Sequence, residues 1–277
     1  MTYTTLITPA QLRALDSPLV IECSFDLADT SAGERAYAAG HIPGAFYLHL
    51  DRDLSGDKAG ANGVFPGRHP LPQRDTFAAL MRRLGLTGDR QVVAYDRQGG
   101  PYAARLWWML RWLGHEAVAV LDGAWDGDVS TEPPTAQPSD WQPGAPLTRQ
   151  VDAAGLLQQL GRVRLIDARA AERFRGEVEP LDKAAGHIPG ASNRFFKDNL
   201  GPDGRFKPAA QLRQEFEALI APHGGGTIVH QCGSGVTACH NLLAMAHAGL
   251  GAPLGGTLYP GSWSEWSADP ARPIAKG

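Results

Sequence analysis

Cys232 is the residue of this sequence with surroundings best suited to chemistry. It stands in the stretch Thr227-Ile-Val-His-Gln-Cys232-Gly-Ser-Gly-Val-Thr237. The apolar run Thr227 to Gln231 predicts a short buried strand. Val236 to Ala248, with Leu242, Leu243, Met245 and Ala246 as its apolar face, predicts a helix. Gly233 and Gly235 lie between them and predict a tight loop. Cys232 thus falls at the C-terminal end of a strand, where sites form in open α/β sheets. The N–H groups of such a loop, with the positive end of the following helix, favour a thiolate over a thiol and so make a nucleophile. A cysteine that only fills a core has no need of a glycine loop.

The elements around it occur twice in the chain. His41-Ile-Pro-Gly-Ala45 recurs as His187-Ile-Pro-Gly-Ala191. Thr8-Pro-Ala-Gln11 reads as a capping box with proline at the first helical position, and Asp152 caps its counterpart, a helix running to Leu160. Strands follow at Leu19 to Cys23 and Val163 to Ala168. Helices lie beyond each HIPGA stretch, at Asp75 to Leu84 and Ala209 to Ile220. A strand, loop and helix then recur: Gln91 to Tyr95 leads into Asp96-Arg-Gln-Gly-Gly100, as Thr227 to Gln231 leads into the cysteine loop. Leu121-Asp-Gly-Ala-Trp125 and Leu258-Tyr-Pro-Gly-Ser-Trp263 close the halves. This alternation predicts an α/β fold of two tandem domains, each a mostly parallel sheet flanked by helices. The proline-rich Gly127 to Leu147 reads as a semi-rigid linker with Trp141 packed on a domain surface. It puts the boundary near residue 140, giving domains 1–140 and 141–277. The alignment sets Asp96 where Cys232 stands. A carboxylate is a poor nucleophile for sulfur chemistry, so the first half reads as non-catalytic unless Asp96 works in a cleft of its own.

Composition bounds the reading. A chain of 277 residues suits two domains, and 43% hydrophobic with 20% charged residues describes a globular protein. A net charge of −3 gives no basic footprint for nucleic acid. No apolar run approaches the ~20 residues of a membrane span. No signal peptide is visible at the N-terminus. Three cysteines without a CxxC pair predict neither a disulfide framework nor a metal site, and fit a reducing cytoplasm.

The repeat, the cysteine loop and the closing Gly261-Ser-Trp263-Ser-Glu-Trp266 together resemble the two-domain sulfurtransferases of the rhodanese type over nearly the whole chain. The resemblance implies two rhodanese-like domains with only the second catalytic. It implies sulfur transfer through a Cys232 persulfide, from a small-molecule donor to cyanide or a thioredoxin-like dithiol. No metal or organic cofactor is expected, and a monomer suffices. The loop N–H groups of Gly233, Gly235, Val236 and Thr237 would hold the persulfide anion.

The form CGSGVT is similar to that of the 3-mercaptopyruvate sulfurtransferases, whereas members that prefer thiosulfate carry cations within the loop. That branch adds a serine, a histidine and an aspartate, matched here by Ser234, His69 and Asp51, which would protonate the pyruvate enolate left by C–S cleavage. It also uses arginines for the donor carboxylate. Arg173, in Arg173-Phe-Arg-Gly176, matches one of them. The second is missing: that region reads Glu177-Val-Glu-Pro-Leu-Asp-Lys183, with Asp182 or Lys183 near the expected place. Thiosulfate therefore stays open as the donor. A phosphatase of related fold would need Cys-x5-Arg, and Ala238 holds the arginine's position. A non-catalytic sulfur carrier or binding module is the remaining alternative. Cys23, Cys239 and His230 read as packing residues, Trp107 and Trp108 as helix core and domain interface. His41 and His187 read as turn residues bonded to backbone, and Asp167 as a group that fixes a strand end.

Overall fold

A computed structural model describes residues 2–60, 63–221, 226–251 and 255–277. The chain divides into two compact units. The first comprises Met1–Gly56, Pro72–Leu147 and Pro202–Phe206; the second comprises Asp57–Leu71, Thr148–Gly201 and Lys207–Gly277. The sequence repeat therefore does not map onto two uninterrupted stretches: residues 57–71 of the first repeat fold with the second unit.

In the first unit the elements are β1 (Leu6–Ile7), α1 (Pro9–Arg13), β2 (Leu19–Glu22), α2 (Ala32–Ala39), β3 (Phe46–Tyr47), α3 (Arg74–Arg83), β4 (Val92–Tyr95), α4 (Pro101–Trp112) and β5 (Val118–Leu121). The strands form one sheet in the order β1-β5-β4-β2-β3, every pair parallel. Parallel pairing buries both faces, so β4 and β5 are continuous apolar runs rather than alternating ones, and β2 is apolar up to the buried Glu22. Thr8 caps α1 as a capping box, its side chain accepting from Gln11 N–H. Trp107 and Trp108 are wholly buried within α4.

The second unit repeats the plan with β6 (Arg149–Gln150), α5 (Ala153–Gln159), β7 (Arg164–Asp167), α6 (Ala171–Arg175), β8 (Ala191–Asn193), α7 (Ala209–Ile220), β9 (Ile228–Gln231), α8 (Ala238–His247), β10 (Thr257–Leu258) and α9 (Ser262–Trp266). Its sheet runs β6-β10-β9-β7-β8, again all parallel. Asp152 caps α5 by accepting from Gly155 N–H at 2.7 Å. Leu156, Ile188, Val229, Tyr259, Trp263 and Trp266 form its core, each side chain contributing roughly 2 kcal/mol on burial.

The HIPGA turns have a mechanical role in each unit. His41 and His187 each bond a backbone carbonyl through Nδ1 at 2.8 Å, of Tyr37 and Phe174 respectively. Each imidazole stacks on the same residue's ring, at 3.9 and 3.8 Å. The edge strands β1 and β6 and the strands after HIPGA, β3 and β8, escape the sequence reading. Two or three residues carry no period. Trp141 sets its ring edge-on to His115 at 6.0 Å, so the proline-rich stretch is packed at that point.

Candidate functional site

Strand β9 lies between β7 and β10, with Gln231 opposite Asp167, and ends where Cys232 begins. The cysteine leaves the sheet at its C-terminal edge and is 1% exposed. Gly235 N–H donates to Cys232 Sγ at 3.1 Å. Three residues further on α8 begins, with the half-buried Thr237 as its N-cap residue and buried Val236 before it. The Thr237 hydroxyl makes no capping bond, so the positive end of α8 is not answered by it. Gly235 sits at φ +77°, and a β-carbon there would stand 2.2 Å from the Pro260 carbonyl oxygen. Only glycine can turn the chain at this point.

The loop is gripped by the tryptophan turn. Trp263 N–H donates to the Cys232 carbonyl at 3.0 Å, and Ser264 N–H to that of Gly233 at 2.9 Å. Cys232 N–H donates to Ser262 Oγ at 3.1 Å, and the same hydroxyl donates to the Tyr259 carbonyl at 2.9 Å. Ser262 performs this with φ at +54°, a left-handed conformation that a non-glycine residue adopts at a cost of about 1–2 kcal/mol. Sequence reasoning missed Ser262. In the sequence, Gly261-Ser-Trp-Ser264 reads only as a closing motif.

The same turn carries residues 67–69. Gly67 has φ +99°, and its backbone lies so close to Gly261 that a β-carbon would stand 2.7 Å from the Gly261 carbonyl oxygen. Arg68 N–H donates to Ser264 Oγ at 3.0 Å. His69 follows, buried, with Nδ1 2.7 Å from Ser234 Oγ, itself buried. One turn, Gly261 to Ser264, thus fixes both the cysteine loop and the histidine that bonds its serine. A hydroxyl within hydrogen-bond reach of an imidazole, two residues from a nucleophile, is an arrangement that can move a proton.

Arg173, on α6, is 18% exposed and sits in a network of ions. Its Nη2 donates to Glu179 at 2.6 Å and to Asp182 at 3.1 Å. Asp182 also pairs with Arg68. Burial pushes the Asp182 carboxyl up from its ordinary value, while Arg68 and Arg173 pull it down. Glu179 further pairs with Arg169, whose guanidinium lies 4.7 Å from the Trp263 ring centre and bonds Asp167 and the Gly186 carbonyl. Asp167 thereby fixes the strand end. Lys183 is exposed. The second unit brings together Cys232, Gly233, Ser234, Gly235, His69 and Arg173. Asp51 belongs to the first unit, beyond β3, where its N–H donates to His49 Nδ1 at 3.1 Å.

The other cysteines are elsewhere in the packing. Cys239 is buried in α8, its thiol donating to the Gly235 carbonyl at 3.4 Å. Cys23 is buried beyond β2, and burial with nearby Asp96 raises its pKa well above the ordinary thiol value. No disulfide joins the three cysteines. Among the described residues no helix is long and apolar enough to cross a membrane, and no cluster of His, Cys, Asp and Glu could hold a metal ion.

The rhodanese-like domain model matches the chain twice, over residues 11–130 and 151–269. A Pseudomonas aeruginosa protein named "Probable 3-mercaptopyruvate sulfurtransferase" is 47% identical over 289 residues, covering the whole of both chains. The thiosulfate sulfurtransferase of Bos taurus is 34% identical over 264 residues, covering 89% of this chain and 84% of its own. Among solved structures, SseA from Escherichia coli, a 3-mercaptopyruvate sulfotransferase, superposes with a TM-score of 0.76 at 30% identity. The match covers 95% of this chain and all of that one.

Proposed function

The chain belongs to the rhodanese-like family, and from that premise we propose that it is a sulfurtransferase that takes sulfur from 3-mercaptopyruvate on Cys232 and passes it to a nucleophilic acceptor. The observation that carries the donor assignment is the His69–Ser234 pair at 2.7 Å beside the cysteine loop. Transfer from thiosulfate breaks an S–S bond and needs no proton. Transfer from 3-mercaptopyruvate breaks a C–S bond and does.

In the first half-reaction the Cys232 thiolate attacks the donor sulfur. The new S–S bond forms as the C–S bond breaks, and the electron pair of that bond passes to carbon as the enolate of pyruvate. Ser234 Oγ–H gives its proton to that carbon and recovers one from His69. Gly235 N–H and the head of α8 hold the charge of the persulfide. In the second half-reaction cyanide or a thioredoxin-like dithiol attacks the outer sulfur, and Cys232 leaves as the thiolate. Asp51 is assigned to the relay as its third member, on the resemblance alone. Arg173 is assigned to the donor carboxylate. The first unit carries no sulfur nucleophile at the place of Cys232, and we take the protein to act as a monomer in a reducing cytoplasm, where the Cys232 thiol stays available.

Thiosulfate is the second reading, favoured by the 34% identity to the bovine thiosulfate sulfurtransferase. The test of the main reading is to incubate the protein with 3-mercaptopyruvate without acceptor and map the mass gain of one sulfur atom. Gain on Cys232, with pyruvate released in equal amount, is expected. Gain with thiosulfate but not with mercaptopyruvate would reassign the donor.

A further inference from the structure

The turn Gly261 to Ser264 divides its work between backbone and side chains. The cysteine loop is held by the N–H groups of Trp263 and Ser264 and by the Ser262 hydroxyl. The Ser264 hydroxyl takes no part in that. It accepts from Arg68 N–H at 3.0 Å and donates to the Gly261 carbonyl at 3.1 Å. A β-carbon on Gly67 would stand 3.1 Å from its oxygen, so the chain at residues 67 and 68 runs directly over it. Ser264 is buried, and so is His69, the residue after Arg68. Residues 64–73 form neither helix nor strand, so no ladder of hydrogen bonds sets the place of His69. Its contact with Ser234 Oγ, at 2.7 Å, depends on tertiary anchors, and such a bond is lost beyond about 3.5 Å.

We propose that Ser264 is a positioning residue for proton transfer: its hydroxyl pins the backbone at Arg68 and so keeps His69 within reach of Ser234. This rests on the sulfurtransferase reading and deepens it, because the hydroxyl serves one donor and not the nucleophile. Attack on a donor sulfur needs the Cys232 loop, whose bonds to the turn leave the Ser264 side chain unused. Protonation of the pyruvate enolate needs the His69–Ser234 pair. A misplacement of about 1 Å in a catalytic group is enough to slow its step many-fold. Ser264→Ala removes both bonds of the hydroxyl, leaves Arg68 N–H without this acceptor, and keeps the Ser264 N–H that donates to Gly233. The two duties of the turn can therefore be separated by a single substitution.

The test compares both donors with a probe of Cys232 alone. That probe is alkylation by bromoacetone, in which the thiolate forms an S–C bond and bromide leaves with the bonding electrons; its rate is read by intact mass. Ser264→Ala should lower kcat for 3-mercaptopyruvate about tenfold with KM within about twofold. Thiosulfate turnover and the alkylation rate should stay within about twofold of the parent. Ser264→Thr, which keeps the hydroxyl, should recover most of the loss. In a His69→Ala background, Ser264→Ala should cost nothing further, because the two residues act through one step. An unchanged kcat in Ser264→Ala would overturn the proposal. So would equal losses with the two donors or a slowed alkylation, which would make Ser264 part of the frame of the cysteine loop. A rise in KM alone would also overturn it, by showing that the hydroxyl acts through the Arg68 side chain. Heteronuclear NMR of the His69 ring reads the anchoring without turnover: its Nδ1 signal should shift in Ser264→Ala and return in Ser264→Thr, and a signal unmoved in Ser264→Ala would overturn the proposal. If that signal shifts while the parent releases no pyruvate from 3-mercaptopyruvate, the positioning role stands and the donor assignment falls.

Discussion

Two loops follow the equivalent strand in two copies of one fold, and they treat the position after the strand in opposite ways. After β4 the Asp96 carboxylate turns back into its own loop and accepts four backbone N–H groups, from Gln98, Gly100, Tyr102 and Ala103, at 2.8 to 2.9 Å. After β9 a sulfur stands in that place and accepts from Gly235. Both loops are anion cradles at the head of a helix. The first is filled by a side chain of its own, while the second holds an atom that can form a bond and give it up. The support differs as well. Arg97 in the first loop bonds Glu22 of β2 and the Gly40 carbonyl, so its charge is spent on the frame. Arg169 does the equivalent work in the second unit, on Asp167 and the Gly186 carbonyl, and leaves Arg68 and Arg173 at the loop.

The comparison breaks most sharply at the sulfur. Cys232→Ser should lower turnover with either donor by at least about a thousandfold, since a hydroxyl forms no persulfide. Measured turnover of the variant with each donor checks this, and retained activity would mean that the other cradle, or another cysteine, does chemistry. Asp96→Ala should leave alkylation of Cys232 by bromoacetone unchanged but destabilise the first unit by about 3 kcal/mol, because the covered N–H groups of Gly100, Tyr102 and Ala103 lose their acceptor. Thermal unfolding with hydrogen exchange on β4 and α4 reads the effect; an unchanged Tm would show that water replaces the carboxylate at no cost.

A third contrast lies one turn of the pleat earlier. The third residue of the strand is Ala94 in β4 and His230 in β9, facing Ile21 and Ile166 of the neighbouring strands. Burial lowers the pKa of His230 to about 4, against the Gly255 carbonyl that accepts from Nε2 at 3.1 Å. The folded value lies below the unfolded one near 6.5. Stability is therefore full above pH 6.5 and falls as pH drops from 6.5 to 4, by roughly 3 kcal/mol in all. Asp96 works with the opposite sign: burial raises its pKa, so acid relieves the first unit. Exchange protection of β9 and β10 should fall over that window, and His230→Gln should flatten the slope. A slope that survives the substitution would assign it to other groups. The smallest effect concerns the relay. Ser234→Ala should lower kcat for 3-mercaptopyruvate about thirtyfold and change thiosulfate turnover little. Asp51→Asn should act in the same direction, and equal losses with the two donors would remove either residue from proton transfer.

What the sequence disclosed follows the range of the interactions involved. The capping box at Thr8 spans three residues, the His41 ring bonds a carbonyl four residues away, and the glycine spacing of the cysteine loop is local. Each can be read from neighbours. Cys232 stands out by its own loop, whereas Ser234 and His69 are assigned through the resemblance rather than through their own surroundings. Arg68 and Ser262 were not. Arg68 reaches Asp182 across 114 residues and Ser264 across 196, along a segment that leaves its own repeat to fold with the other unit. In the sequence, Asp182 or Lys183 stands near the place where the resemblance expects a second arginine. The part of Asp182 in holding Arg68 depends on that same tertiary placement, and no spacing in the sequence announces it. Ser262 takes a left-handed conformation that its residue type does not suggest, because its hydroxyl is needed under Cys232.

The most direct test of the central claim is kcat/KM for 3-mercaptopyruvate and for thiosulfate on one preparation with cyanide as the common acceptor. The Ser234–His69 pair and the charge-balanced arginines predict a large excess for 3-mercaptopyruvate. An excess for thiosulfate would contradict the account, and would mean that the relay is idle and the two arginines serve a dianionic donor.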